Sequence, residues 1–230
     1  MDIAIASLVI GDRYREVVRL GTESKIRYAH KHNYPFQLGG EEIYDRSRPI
    51  AWSKIPLIKK MLTKHEYVFC SDADVYFMND EVQLEDYITQ YLDGDSDIAL
   101  TRDWQDINFG NVLFKNTPWV FQMLDRIYAQ TEFIEHDWWE QRAFIELYNN
   151  DEEVRSKTTI ITPTRKLNAY IFCPEGIDVP VSNLYHPGDF LIHLAGIDDW
   201  NKLHELMNLC QQLKSDPEKQ AGHEAITVSI

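Results

Sequence analysis

Two carboxylates one residue apart, Asp72 and Asp74, directly follow the apolar run Tyr67-Val68-Phe69-Cys70 and Ser71. At the carboxyl end of a strand the side chains escape the sheet's alternation, so both acids can reach one hard cation. Mg²⁺ or Mn²⁺ held by one or two carboxylates, with phosphate oxygens completing the shell, is the arrangement that phosphate chemistry uses. An Asp-x-Asp pair also occurs as a plain acidic turn. Here the apolar Val75-Tyr76-Phe77-Met78 follows, so both acids are expected to be partly buried. Burying unpaired carboxylates is costly and implies a compensating cation.

Other candidates lie far along the chain. His193 sits in Phe190-Leu191-Ile192-His193-Leu194-Ala195-Gly196, an apolar strand ending in a turn, where imidazole can ligate Mn²⁺ or serve as a hydrogen-bonded core residue. Gly196 would let backbone approach a phosphate, and Lys202, one short loop away, can meet a diphosphate or stay a solvated helix lysine. Asn108-Phe109-Gly110-Asn111 joins amides to a glycine ahead of a strand, which suits sugar hydroxyls or an ordinary turn. Asp137-Trp138-Trp139-Glu140-Gln141 places two carboxylates, an amide and two indoles at a helix start. Indoles stack on sugar rings and polar groups orient hydroxyls, although Asp137 also fits a helix cap.

The elements that must position these groups follow from periodicity. Ile3 to Ile10 reads as a buried strand, Tyr14 to His32 as a helix, and Pro35 to Leu38 as a second strand, a βαβ opening. Trp52, Ile55, Ile58, Met61 and Leu62 mark one face of a helix leading into the Tyr67 to Cys70 strand. Strands are expected at Ile98 to Leu100, Gly110 to Phe114, Thr158 to Thr162 and Phe190 to Leu194. Helices are expected at Pro118 to Gln130, Trp138 to Tyr148 and Trp200 to Lys214. Such alternation predicts an α/β sandwich with a mostly parallel sheet, and ligands in such sheets bind at the carboxyl ends of the strands.

A chain of 230 residues with 44% hydrophobic content suffices for one α/β core, expected over residues 1–214, ahead of a polar tail over 215–230. The net charge of -14 argues against nucleic acid and anionic membrane. A nucleotide sugar is also an anion, so an acidic protein binding one needs a cation or a local basic cluster. Three cysteines without a CxxC pair suggest neither a disulfide framework nor a thiolate zinc site. Met1-Asp2-Ile3 lacks a basic leader region, and the apolar run ending at Ile10 is too short to span a membrane. The sequence therefore reads as a soluble, cytoplasmic protein.

With these residues placed, the chain resembles the GT-A glycosyltransferases, and more narrowly glycosyltransferase family 34, from about Ile3 to Lys202. The resemblance rests on ordered blocks: WSKIPLIKKML (52–62), YVFCSDADVYFMN (67–79), NFGNVLFKNTPW (108–119), WWEQRAF (138–144) and FLIHLAG (190–196). It implies a Rossmann-like GT-A fold with a mixed, mostly parallel central sheet. It further implies that Asp72, Asp74 and His193 ligate Mn²⁺ (or Mg²⁺), and that the Asp72-Ala73-Asp74 turn and Lys54 face the donor. The first-strand loop near Ser7 would hold the nucleoside. Asn108 and Gly110 would line the sugar or acceptor pocket, with Glu140 and Gln141 beside the reacting carbon.

The implied reaction moves a hexose or pentose from a nucleoside diphosphate sugar, UDP-sugar favoured over GDP-sugar, to a saccharide hydroxyl with retention of configuration. In same-face substitution Gln141 would stabilise the oxocarbenium-like centre and Glu140 would orient hydroxyls. In double displacement Glu140 or Asp137 would be the nucleophile. Two other readings stand beside it, another metal-dependent nucleotide enzyme such as a nucleotidyltransferase and a catalytically silent carbohydrate-binding protein. The first of these expects an early Gly/Arg/Lys-rich loop, of which Ile10-Gly11-Asp12-Arg13 supplies little.

Overall fold

Ile3–Leu8 (β1) is buried along nearly its whole length, with Ala4 and Ala6 packed on one side and Ile3 and Ile5 on the other. A strand apolar on both faces belongs inside a sheet that helices cover from each side. The computed structural model describes residues 1–174, 177–216 and 227–229, and it places β1 there.

The chain continues through α1 (Asp12–Val17), α2 (Arg19–His32), β2 (Phe36–Gly39), α3 (Lys54–Leu62), β3 (Tyr67–Ser71), β4 (Val75–Phe77) and α4 (Leu84–Tyr91). β5 (Ile98–Arg102), β6 (Ile107–Lys115), α5 (Pro118–Ala129), α6 (Trp139–Asn150), α7 (Glu152–Ser156) and β7 (Thr158–Ile161) follow. The last elements are β8 (Phe172–Cys173), β9 (Leu191–His193), α8 (Trp200–Ser215) and β10 (Val228–Ser229).

A six-stranded sheet runs β2-β1-β3-β6-β5-β7. β6 is antiparallel to both its neighbours, and the other adjacent pairs are parallel, so the sheet is mixed and mostly parallel. Helices α3, α5 and α6 cover one face through Ile55, Ile58, Leu124, Ile127 and Phe144. Tyr28 and Ala29 of α2, Leu84 and Ile88 of α4, and Phe190 cover the other. A second, two-stranded sheet pairs β4 with β9 antiparallel, in a register that sets Val75 opposite His193. Among the described residues no helix is long and apolar enough to cross a membrane.

Three expectations change. The helix expected over Tyr14 to His32 is two helices, broken at Val18 (φ −95°, ψ 10°). The strand expected over Gly110 to Phe114 starts earlier, at Ile107, so Asn108-Phe109-Gly110-Asn111 lies within β6, buried up to Phe114, and the ordinary-turn alternative falls. Its amides and glycine imitate turn chemistry because they are polar groups satisfied inside the sheet. Asp137 does not cap α6: the cap position falls on Trp138 with no side-chain bond, and Asp137 is exposed. Helix α4 lies in a stretch for which the sequence suggested no element. Most of the polar tail, residues 217–226 and 230, lies outside the described residues, while Val228–Ser229 pairs with β8.

Candidate functional site

β3 delivers Asp72 just past its carboxyl end, in the middle of the sheet, where its backbone N–H donates to the Gly110 carbonyl of β6 at 2.8 Å. The turn then enters β4, and the β4–β9 ladder carries His193 beside it, with the Leu194 N–H donating to the Asp74 carbonyl at 3.0 Å. Ligand atoms of Asp72, Asp74 and His193 consequently lie within 4.8 Å of one another. The three residues expected from the sequence as a metal set, two of them about 120 residues from the third, are brought to one point.

Helix α2 supports the turn from beneath. A β-carbon on Gly21 would stand 2.8 Å from the Val75 carbonyl oxygen and 3.0 Å from that of Ala73, so only glycine lets the helix come so close. One turn later the fully buried Lys25 donates through Nζ to the same two carbonyls, at 2.6 Å to Val75 and 3.4 Å to Ala73. Burial pushes the Lys25 pKa down to about 7, against the opposing pull of Asp74 and Asp72. Neither Gly21 nor Lys25 was singled out from the sequence. The available signal was a lysine four residues from a glycine on the buried side of an amphipathic helix.

Gly110 makes room at the centre. A β-carbon there would overlap Cε1 of His193 and stand 3.0 Å from Asp72 Oδ2. Asn108, also on β6, turns its Oδ1 to the Gly110 N–H at 2.9 Å.

Lys54, at the first turn of α3, is almost fully buried and bridges two carboxylates. Its Nζ lies 2.7 Å from Asp72 Oδ1 and 2.8 Å from Glu140 Oε1, and donates to the Phe109 carbonyl at 3.2 Å. Burial opposes its charge, but Asp72 and Glu140 outweigh burial and raise its pKa. Glu140 at the start of α6 is raised by burial and by Asp72, which Lys54 counters. Its Oε2 is buried with no hydrogen-bond partner among the described residues. Gln141 accepts from the Phe109 N–H through Oε1 at 2.9 Å, so α6 and β6 hold each other in place.

The remaining candidates stand outside this network. Ser7 is buried with Oγ unpartnered among the described residues. Gly196 adopts φ +75° in the turn after β9, with open space where a side chain would be. Lys202 lies in the first turn of α8, which Asp199 caps, and faces Glu205 at 3.9 Å. Of the two indoles, Trp138 packs into the core and Trp139 is 41% exposed.

The donor set fits a divalent cation. His193 Nδ1 is bonded to Asn168 Oδ1 at 2.6 Å, which leaves Nε2 facing Asp74 Oδ1 at 3.4 Å, longer than a good hydrogen bond. Two carboxylates and one imidazole nitrogen suit Mn²⁺ or Mg²⁺ with exchangeable positions left for phosphate oxygens.

The sequence profile of the galactosyl transferase GMA12/MNN10 family matches residues 10–95 and 90–204. A Schizosaccharomyces pombe protein named "Uncharacterized alpha-1,2-galactosyltransferase" is 25% identical over 217 residues, which are 78% of this chain and 56% of that protein. The Saccharomyces cerevisiae "Probable alpha-1,6-mannosyltransferase MNN10" is 24% identical, with 84% of this chain and 60% of that protein covered. The chain thus spans less than two thirds of the length of these curated relatives. Among solved structures, a glycosyltransferase involved in glycosylation of the major capsid of PBCV-1 has a TM-score of 0.70 at 16% identity, covering 91% of this chain and all of that one. Mouse xyloside xylosyltransferase 1 has a TM-score of 0.54 at 10% identity, covering 85% and 98%. These likenesses show the fold, that of the GT-A glycosyltransferases.

Proposed function

Because the chain belongs to the galactosyl transferase GMA12/MNN10 family, glycosyltransferase family 34, we propose that it moves a hexose or pentose from a nucleoside diphosphate sugar to a saccharide hydroxyl with retention of configuration. A UDP-sugar is the favoured donor, in keeping with the galactosyltransferase names of its relatives. The observation that carries this reading is the convergence of Asp72, Asp74 and His193 within 4.8 Å, next to a Lys54–Glu140 pair with one carboxylate oxygen unpartnered among the described residues.

Asp72, Asp74 and His193 would hold Mn²⁺ or Mg²⁺, which supplies Lewis-acid stabilisation of the leaving diphosphate. Lys54 adds a fixed positive charge beside Asp72 in a water-poor site, where such a charge acts strongly. Glu140 presents Oε2 to a sugar or acceptor hydroxyl, a role its raised pKa and missing partner both favour. Phe109 N–H fixes the Gln141 carbonyl, whose second lone pair can face the developing positive centre. Gly196 and Lys202 serve the diphosphate, Ser7 the nucleoside end, and Asn108 and Gly110 the sugar pocket.

UDP- and GDP-sugars, each with and without Mn²⁺, test the reading by thermal unfolding, since a ligand that binds the native state alone raises the melting temperature. A Mn²⁺-dependent rise with at least one nucleotide sugar is expected, along with slow Mn²⁺-dependent donor hydrolysis. Asp74→Ala should lose both while remaining folded. No shift with any nucleotide sugar, or near-wild-type turnover in Asp74→Ala, would overturn the assignment.

A further inference from the structure

Behind His193 runs a buried chain of hydrogen bonds that reaches a carboxylate outside the metal set. His193 Nδ1 meets Asn168 Oδ1 at 2.6 Å, Asn168 Nδ2 donates to the Tyr170 hydroxyl at 2.7 Å, and that hydroxyl donates to Asp103 Oδ2 at 2.7 Å. Asn168, Tyr170 and His193 are all buried, at 0%, 1% and 2% exposure, so water does not compete for these bonds. Asp103 itself is held in the β5–β6 loop, where its Oδ1 accepts from the N–H groups of Gln105 at 2.8 Å and Asp106 at 3.3 Å.

The direction of every bond in this chain follows from groups that can act in one sense only. An ionised carboxylate accepts, so the Tyr170 hydroxyl must give its proton to Asp103 and can only accept from its other neighbours. The Gly110 N–H can only donate, which turns Asn108 Oδ1 towards it and Asn108 Nδ2 towards Tyr170, at 3.1 Å. Asn168 therefore presents Nδ2 to Tyr170 and Oδ1 to the opposite side. There Oδ1 accepts from Asn111 Nδ2 at 3.2 Å and from His193, whose proton must then reside on Nδ1. In the other tautomer Asn168 would have to rotate, setting its NH₂ against the Asn111 NH₂ and withdrawing the donor that Tyr170 accepts.

We propose that Asp103, acting through Tyr170 and Asn168, is a positioning residue that holds His193 as the Nδ1–H tautomer and so aims an Nε2 lone pair at Asp74 and the cation position. Two acceptors facing each other at 3.4 Å repel unless a cation lies between them, so the chain makes the site selective for being filled. The link to metal rests on the function proposed above, whereas the tautomer is a property of the metal-free protein.

Nitrogen-15 NMR of the His193 ring in chelator-treated protein reads the tautomer directly, and Mn²⁺ titration reads the consequence. The wild type should show a protonated Nδ1. Asn168→Asp, which keeps the acceptor facing His193 and loses only the donor to Tyr170, should retain that tautomer. Asn168→Leu and the gentler Tyr170→Phe should shift the proton towards Nε2 and weaken Mn²⁺ binding by about 10-fold to 100-fold, the usual range for losing a ligand's supporting partner. A thermal melt confirms which variants are folded, and Tyr170→Phe retains the ring if Asn168→Leu does not fold. A protonated Nε2 in the wild type, or an unchanged tautomer in folded Tyr170→Phe and Asn168→Leu, overturns the inference. Failure of the wild type to bind Mn²⁺ with the Nδ1–H tautomer intact would instead overturn the metal assignment and leave the hydrogen-bond argument supported.

Discussion

Gly110 and His193 share a space that holds only one of them if either grows: a β-carbon on Gly110 would overlap the imidazole Cε1 and crowd Asp72 Oδ2. Both neighbours are proposed ligands, and His193 is locked from behind by Asn168, so it cannot retreat without breaking a buried bond. Gly110→Ala should therefore disturb the metal set before it disturbs the fold. The expected result is Mn²⁺ binding weaker by about tenfold or more, with stability lower by about 1–3 kcal/mol, the usual cost of overpacking. Titration with free Mn²⁺ followed by electron paramagnetic resonance, alongside urea unfolding, measures both; unchanged affinity would mean that His193 does not ligate.

Lys54 is the only cation within bonding distance of Glu140 among the described residues, and it also neutralises Asp72. Lys54→Met leaves Glu140 charged and buried, and breaking a buried pair by removing one partner costs about 3–5 kcal/mol. Adding Glu140→Gln removes the stranded charge, so the double variant should recover part of the loss while staying inactive. Denaturant melts of the four proteins of the cycle give the coupling directly. Strictly additive losses would show that the bridge contributes nothing to the fold.

Much of this was legible in the sequence, for a definite reason. The acids, His193, Gly110 and Glu140 each sit next to a strongly patterned strand or helix, and pattern fixes where such elements begin and end. What was not legible depends on contacts between elements. Nothing along the chain says that Lys54 reaches Glu140, 86 positions away, or that Lys25 lies beneath the acidic turn. Asp103, Asn168 and Tyr170 carry no periodic signal, because their role comes from the direction of shared protons. That the strand expected from Gly110 begins as early as Ile107 was not legible for a related reason: polar side chains inside a sheet look the same in sequence as polar side chains in a loop.

Trp139 opens α6 with φ +40° and is 41% exposed, immediately before Glu140. A bulky residue in the left-handed region costs about 1–3 kcal/mol, and such strain persists mainly at functional sites. The indole is expected to give the acceptor ring a stacking face. Stacking of about 0.5–1.5 kcal/mol corresponds to a rise in acceptor KM of about two- to tenfold in Trp139→Ala. Donor hydrolysis without acceptor should be unchanged. Steady-state kinetics against both substrates separates the two effects, and an equal loss in hydrolysis would place the indole on the donor side or in the fold instead.

Lys25 makes a pH dependence whose sign can be worked out. Its folded pKa is pushed down to about 7 by burial, whereas in the unfolded chain a lysine titrates near ~10.4. Between those values the unfolded chain carries a proton that the folded protein lacks, so falling pH favours unfolding. Stability tied to Lys25 is complete above the unfolded value, declines by up to about 1.4 kcal/mol per pH unit across the window, and levels off below the folded pKa. Lys25→Met removes the titration while orphaning the Val75 and Ala73 carbonyls, so its absolute stability is a poor guide and the slope is the quantity to compare. Tyrosines and cysteines that also titrate are common to both proteins and cancel in the difference. In chelator-treated protein, urea melts at pH 7 and 9 should show the wild type gaining about 2 kcal/mol more than Lys25→Met. Parallel gains in the two proteins would mean that Asp72 and Asp74 keep Lys25 charged in the fold, making it a permanent counter-ion of the acidic turn.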